Sequence, residues 1–185
     1  MISGFTRIDT VTVPDKFMSI IDVSDSGKCD IEEIKTILER DKDSLDYLGV
    51  RSDTDPLDIP DLYKDIKSVK PRGMKVLLIS DGHRPEVLDD LVGAGYVHAM
   101  DILIGRELTT EQSGCIDILT DNKCRYAVTV NTADHDEESV SAIAGRCEGC
   151  SMFILRIDRK RPIGKSELSK MTTVAKRCTW NVRIS

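Results

Sequence analysis

The chain has 185 residues, 40% of them hydrophobic and 31% charged, which places it among globular domains and outside the compositions of disordered chains and membrane spans. Its 26 Lys and Arg against 32 Asp and Glu give a formal charge of −6, a balance that repels a phosphate backbone and excludes nucleic acid as an expected partner. The length fits a single α/β domain over residues 1–185, large enough to bury about 70% of the surface that its unfolded form exposes.

The opening stretch, MISGFTRIDTVTVPDKF, has no apolar run behind a basic start, so no signal peptide or membrane segment is expected and the cytoplasm is the expected compartment. A first strand is predicted over Phe17 to Val23. Asp30 stands where a helix N-cap belongs, with Ile31, Ile34, Ile37 and Leu38 on one face of the helix that follows. A second strand at Asp46 to Arg51 leads through the turn-forming SDTDPLDIPD to a helix at Asp61 to Val69, which Lys70-Pro71-Arg72-Gly73 ends. The third strand, MKVLLIS, is a nearly continuous apolar run of the kind buried on both faces of a parallel sheet. Asp81, a second expected cap, opens a turn into a helix carrying Val87, Leu88, Leu91 and Val92 and closed by Gly93 and Gly95.

The strand YVHAMDILI comes next. Between Glu107 and Asn122, Leu108, Cys115, Ile116 and Leu119 give a partial helical stripe that predicts a short helix. A strand at Arg125 to Val130, a helix at Glu137 to Arg146, the strand SMFILRI, a basic loop, a helix at Ser166 to Arg177 and the strand WNVRI complete the chain. Some seven buried strands joined by helices restrict the architecture to a partial or complete β/α barrel or an open, parallel doubly wound sheet. No GxGxxG follows the first strand and no GxxxxGK[ST] occurs, so the common nucleotide-binding sheets lack their usual signature.

The stretch MKVLLISDGHRPEVLDDLVGAGYVHAMDILIG resembles the central part of radical S-adenosylmethionine enzymes, in particular those that activate anaerobic ribonucleotide reductases and other glycyl-radical enzymes. Ser80-Asp81-Gly82 stands for the family's TNG, Pro85-Glu86-Val87-Leu88 for its P-E-V-L helix and Met100-Asp101-Ile102 for its MDIK strand. Val13-Pro14-Asp15-Lys16 is similar to the PGK segment before its first strand, and Val128 to Glu138 to its V-x-P-x-x-N-D-E-E stretch. The resemblance implies a partial (β/α)6-type barrel.

Two departures weigh on the activity. The family holds a [4Fe–4S] cluster on a CxxxCxxC loop after its first strand, whereas Ser24 to Asp30 here contains only Cys29. The family's GGEP, which binds the amino group of the cosubstrate, is replaced by Asp53-Thr54-Asp55-Pro56. Neither [4Fe–4S] nor S-adenosylmethionine is expected, no catalytic residue is assigned, and the resemblance implies a degenerate, non-catalytic accessory protein with a protein partner, serving an oxygen-sensitive enzyme of an anaerobe.

Other chemistry has weaker signals. Cys147-Glu148-Gly149-Cys150 is spaced for zinc or redox use but lacks a second pair; Cys124, Cys178, His98 and His135 are the remaining ligand candidates, and two reduced thiols beside a turn is the plainer reading. Strand ends in a parallel fold gather ligands, and Asp22, Ser52, Asp53, Asp55, Ser80, Asp81, Asp101 and Asn131 form an expected acidic rim there, suited to a cation or cationic ligand, although Asp is also a common turn and cap residue. His83 follows in the same loop and is a candidate general base or a plain surface residue. The basic loop Arg156 to Lys165 is either a solvated connection or a patch for an acidic partner or anionic ligand.

Overall fold

In a computed structural model that describes residues 1–185, the alternation becomes one eight-stranded sheet whose strands follow chain order. The strands are β1 (Ile2–Asp9), β2 (Met18–Val23), β3 (Tyr47–Ser52), β4 (Val76–Ser80), β5 (Ala99–Ile104), β6 (Arg125–Asn131), β7 (Met152–Arg156) and β8 (Val182–Ile184). The helices are α1 (Ile31–Asp41), α2 (Leu62–Val69), α3 (Pro85–Gly93), α4 (Thr110–Asp121), α5 (Glu137–Arg146) and α6 (Lys165–Cys178). Only β1 runs antiparallel, to β2; the other neighbours are parallel. The sheet does not close, since β1 and β8 are its free edges. No helix is long and apolar enough to cross a membrane.

Side chains two apart on a strand share a face, and this divides the core. Leu48, Val50, Val76, Leu78, Met100, Ile102, Val128 and Phe153 point to the helical side and join Ile34, Leu38, Ile66, Leu88, Leu119 and Met171 in the main cluster. Met18, Ile20, Tyr47, Leu77, Ile79, Ala99, Ala127, Met152 and Ile154 point to the concave side, where they form a second, smaller cluster with Val13. All of β4 is buried, as its unbroken VLLIS demands, and each such side chain contributes about 1.5–3 kcal/mol relative to exposure.

Most elements lie where the sequence puts them, and three findings differ. β1 was not expected: its residues are largely half-buried or exposed, as suits an edge strand, and ISGFTRID shows too little alternation to signal one. α4 is a full twelve-residue helix fixed by a Thr109/Gln112 capping box. Its apolar stripe is interrupted because Gln112 occupies a core-facing position, where its side-chain amide donates to the carbonyls of Asp81 (2.7 Å) and Leu103 (3.3 Å). Asp30 caps α1 as expected, accepting from Glu32 and Glu33 N–H, but Asp81 caps nothing; Arg84 holds the N-cap position of α3, and Pro85 supplies its start.

The loop after β2 is folded back onto β1. Ser24 N–H donates to the Met1 carbonyl (2.9 Å) and Cys29 N–H to the Ile2 carbonyl (3.2 Å), and a Cβ on Gly27 would fall within the Ile2 backbone. Gly27→Ala is therefore expected to destabilise the protein by about 2 kcal/mol, because backbone cannot yield as a side chain does; urea unfolding of the variant measures it, and an unchanged midpoint would sink this account of the loop.

Candidate functional site

The carboxyl ends of the parallel strands open into a cleft of about 660 Å³, within the size range of small-molecule sites. Arg51 and Ser52 reach it from β3, Ser80 and Asp81 from the end of β4, Leu103 from β5, Asn131 from β6 and Arg156 from β7, while Thr12 and Arg159 enter from loops. Of the rim predicted from sequence, Ser52, Asp55, Ser80, Asp81 and Asn131 line this cleft; Asp22, Asp53 and Asp101 do not. The rim is of mixed charge, because Arg51, Arg156 and Arg159 stand among the carboxylates. The strand-end rule that drew attention to the acids applied equally to Arg51 and Arg156, each at or next to the last residue of its strand.

Asp55 organises one wall. It is 4% exposed, and its carboxylate accepts from Leu57 N–H (2.8 Å), Asp81 N–H (2.7 Å) and the Ser80 hydroxyl, which lies 2.9 and 2.8 Å from its two oxygens. Burial raises its pKa, against the lowering effect of those donors. A carboxylate so engaged fixes the loop after β3 to the end of β4. Removing it would strand a buried hydroxyl.

His83 lies between two carboxylates: Nδ1 is 2.5 Å from Asp81 Oδ1 and Nε2 is 3.0 Å from Asp58 Oδ1. Two carboxylates on one ring favour the imidazolium, which can donate from both nitrogens, and its pKa is raised, first by the bond to Asp81. Asp55, Asp81 and His83 form the one trio close enough to share a metal ion. Asp55 is already committed to backbone and Ser80, and Asp81 and His83 are bonded to each other, so a metal ion would have to displace these bonds.

Asp22 is paired with Arg51 at 2.5 Å, and Asp53 is exposed. Asp101 is fully buried on the concave face, where Oδ1 accepts from the Thr129 hydroxyl at 2.7 Å. Its Oδ2 has no hydrogen-bond partner, and the Arg156 guanidinium stands 4.0 Å away while donating to the Thr12 carbonyl.

The cysteine pair is not arranged for chemistry. Cys147 and Cys150 are 0% and 1% exposed in the main core, and burial pushes their thiols up to about 12 and about 11, so both stay protonated and poor as ligands or nucleophiles. The structure brings no third ligand to them: His135 is buried with neither ring nitrogen bonded, and His98 accepts from Val76 N–H.

No protein-family model matches the chain, and no curated protein matches it. Solved structures of SuiB from Streptococcus suis are similar in fold. SuiB bound to the precursor peptide SuiA superposes with a TM-score of 0.64 at 10% identity over 88% of this chain and 43% of SuiB. SuiB bound to S-adenosylmethionine gives 0.63 at 10% over 88% and 45%, and SuiB alone 0.60 at 9% over 87% and 44%. The chain thus spans less than half the length of these neighbours. The open, partial-barrel α/β architecture expected from the resemblance to radical S-adenosylmethionine cores is the fold observed.

Asp101 gives the site a measurable titration. Burial pushes its carboxyl up to about 6, with Thr129 and Arg156 opposing. The folded protein therefore holds this proton more tightly than the unfolded chain, and ionisation costs stability as pH rises from about 4 through about 6, by about 3 kcal/mol in full. Asp101→Asn, which mimics the neutral acid, is expected to gain stability relative to the parent between about pH 5 and about pH 8. Chemical denaturation at both pH values tests this, and parallel pH dependences would refute the buried-acid assignment.

Proposed function

We propose that this chain is a catalytically degenerate, cytoplasmic relative of the radical S-adenosylmethionine enzymes. It acts as an accessory or scaffold unit that holds a protein or peptide partner, within the assembly or activation of an oxygen-sensitive enzyme of an anaerobe. The carrying observation is the loop after β2. Where the family wraps a cluster, Ser24 to Asp30 offers one thiol, Cys29, and its backbone is hydrogen-bonded to β1. A [4Fe–4S] cluster held by three thiolates does not fit this donor set. Cys115, Cys147 and Cys150 lie buried in the core on other segments, and burial raises their thiols to about 12, about 12 and about 11, which disfavours the thiolates that a cluster needs.

Two further observations favour a holding role. At the position of GGEP, Asp55 spends its carboxylate on Leu57, Ser80 and Asp81 and has little capacity left for the amino group of a cosubstrate. SuiB, of the same fold, was solved bound to a precursor peptide, which makes a peptide or protein partner compatible with this scaffold.

A second reading rests on the cleft. Arg51, Arg156 and Arg159 among Ser52, Ser80 and Asn131 are donors suited to a small carboxylate or phosphate, and would make the chain a ligand-binding module. One preparation separates the readings. Anaerobic reconstitution with iron and sulfide, then incubation with S-adenosylmethionine and dithionite, is expected to yield neither an iron–sulfur spectrum nor 5′-deoxyadenosine; both products together would overturn degeneracy. Calorimetric titration of the same protein with S-adenosylmethionine is expected to show no saturable heat, whereas binding lost in Arg156→Ala would favour the module.

A further inference from the structure

The opposite end of the sheet carries a second hollow that none of the chemistry above uses. Tyr47, Ala99, Arg125 and Met152 are the first residues of their strands, and around them lies a cavity of about 350 Å³. Its walls are Val13, Leu77, Ala99, Ala127 and Met152, concave-face residues among which the two alanines leave the room. Trp180 stands at its rim, 82% exposed, the most exposed of the large hydrophobic residues and the only tryptophan in the chain. Leaving that ring in water forfeits apolar burial that a partner can recover, and Trp, Tyr and Arg are the residue types that dominate interface energetics.

The adjoining surface is basic in a chain of net charge −6. Lys16, Lys75, Lys123 and Arg125 line a neighbouring cavity of about 500 Å³, and Lys16, Tyr47 and Arg125 belong to both. None of these cations takes part in the ion pairs of the protein. Two acids lie nearby: Asp46, which lines the same cavity and accepts from Phe17 N–H, and Asp15, which is bonded to Arg183 at 2.6 Å; the four cations outnumber them. His98, in the same cavity, has its pKa lowered by burial and then by Lys70 and Lys75.

We propose that this amino-end face docks an acidic segment of a partner protein, with one apolar side chain of that segment in the hollow beside Trp180 and its carboxylates on Lys16, Lys75, Lys123 and Arg125. The hollow is lined mainly by apolar residues and has room for an apolar side chain of a bound segment, and cations free of ion pairs beside it select and steer an acidic sequence. Nucleic acid fits less well, because one exposed ring makes no stacking run and the overall charge opposes a phosphate backbone. The inference is independent of cluster chemistry, since this face lies at the other end of the strands from the cleft and the Ser24 to Asp30 loop.

Trp180 reports its own occupancy. Titration with a synthetic peptide of glutamates around one central leucine is expected to shift its emission to the blue, saturably, with affinity falling as salt is added. At least tenfold weaker binding is expected for the Lys75→Glu, Lys123→Glu double variant and for the same peptide with glutamine in place of glutamate or alanine in place of leucine; Arg156→Ala, in the cleft, is expected to bind as the parent does. Absence of a shift, equal binding of the glutamine peptide, weakening by Arg156→Ala, or tighter binding of an oligothymidylate would each overturn the proposal. None of these outcomes depends on whether iron and sulfide reconstitute a cluster.

Discussion

A parallel sheet whose strands follow chain order must place its crossover helices on one face, because successive right-handed connections all return on the same side. Every consequential feature of this protein descends from that constraint. The helical face is sealed by the larger cluster of aliphatic side chains. The concave face has only the smaller cluster and the connection between β1 and β2 to cover it, so it stays open at both ends of the strands. One end becomes the cleft around Ser80, Asn131 and Arg156, the other the hollow beside Trp180.

Charge is distributed along the same axis. At the carboxyl ends, acids and arginines are interleaved and largely satisfy one another: Asp22 with Arg51, Asp58 and Asp81 with His83, Asp134 and Asp158 with Arg161. At the amino ends Lys16, Lys75, Lys123 and Arg125 line the neighbouring cavity and form no ion pair. A net charge near −6 describes neither end. What a partner meets depends on which mouth of the barrel it approaches.

How far the sequence could be read followed from whether a signal was local. The unbroken VLLIS of β4, the Asp30 cap of α1 and the Pro71 to Gly73 stop after α2 are properties of a few adjacent residues, and each stands as read. β1 was invisible because an edge strand owes its conformation to β2, not to its own pattern. The Gln112 position in α4 reads as a gap in the stripe because its partners, the carbonyls of Asp81 and Leu103, arrive from the loop after β4 and from β5. At the cleft, strand-end position predicted which residues gather but not their state. Asp55 turns inward to Ser80, Asp101 is buried against Thr129 and His83 reaches Asp58, all contacts between residues more than twenty apart in the chain.

The short loop from Ser24 to Asp30 has a mechanical consequence for the edge of the sheet. Its backbone is bonded to Met1 and Ile2, and β1 in turn pairs along β2, so the edge strand is held from two sides. Local opening of that edge has to break the loop contacts and the antiparallel ladder together, which makes strand and loop one unit of local unfolding rather than two.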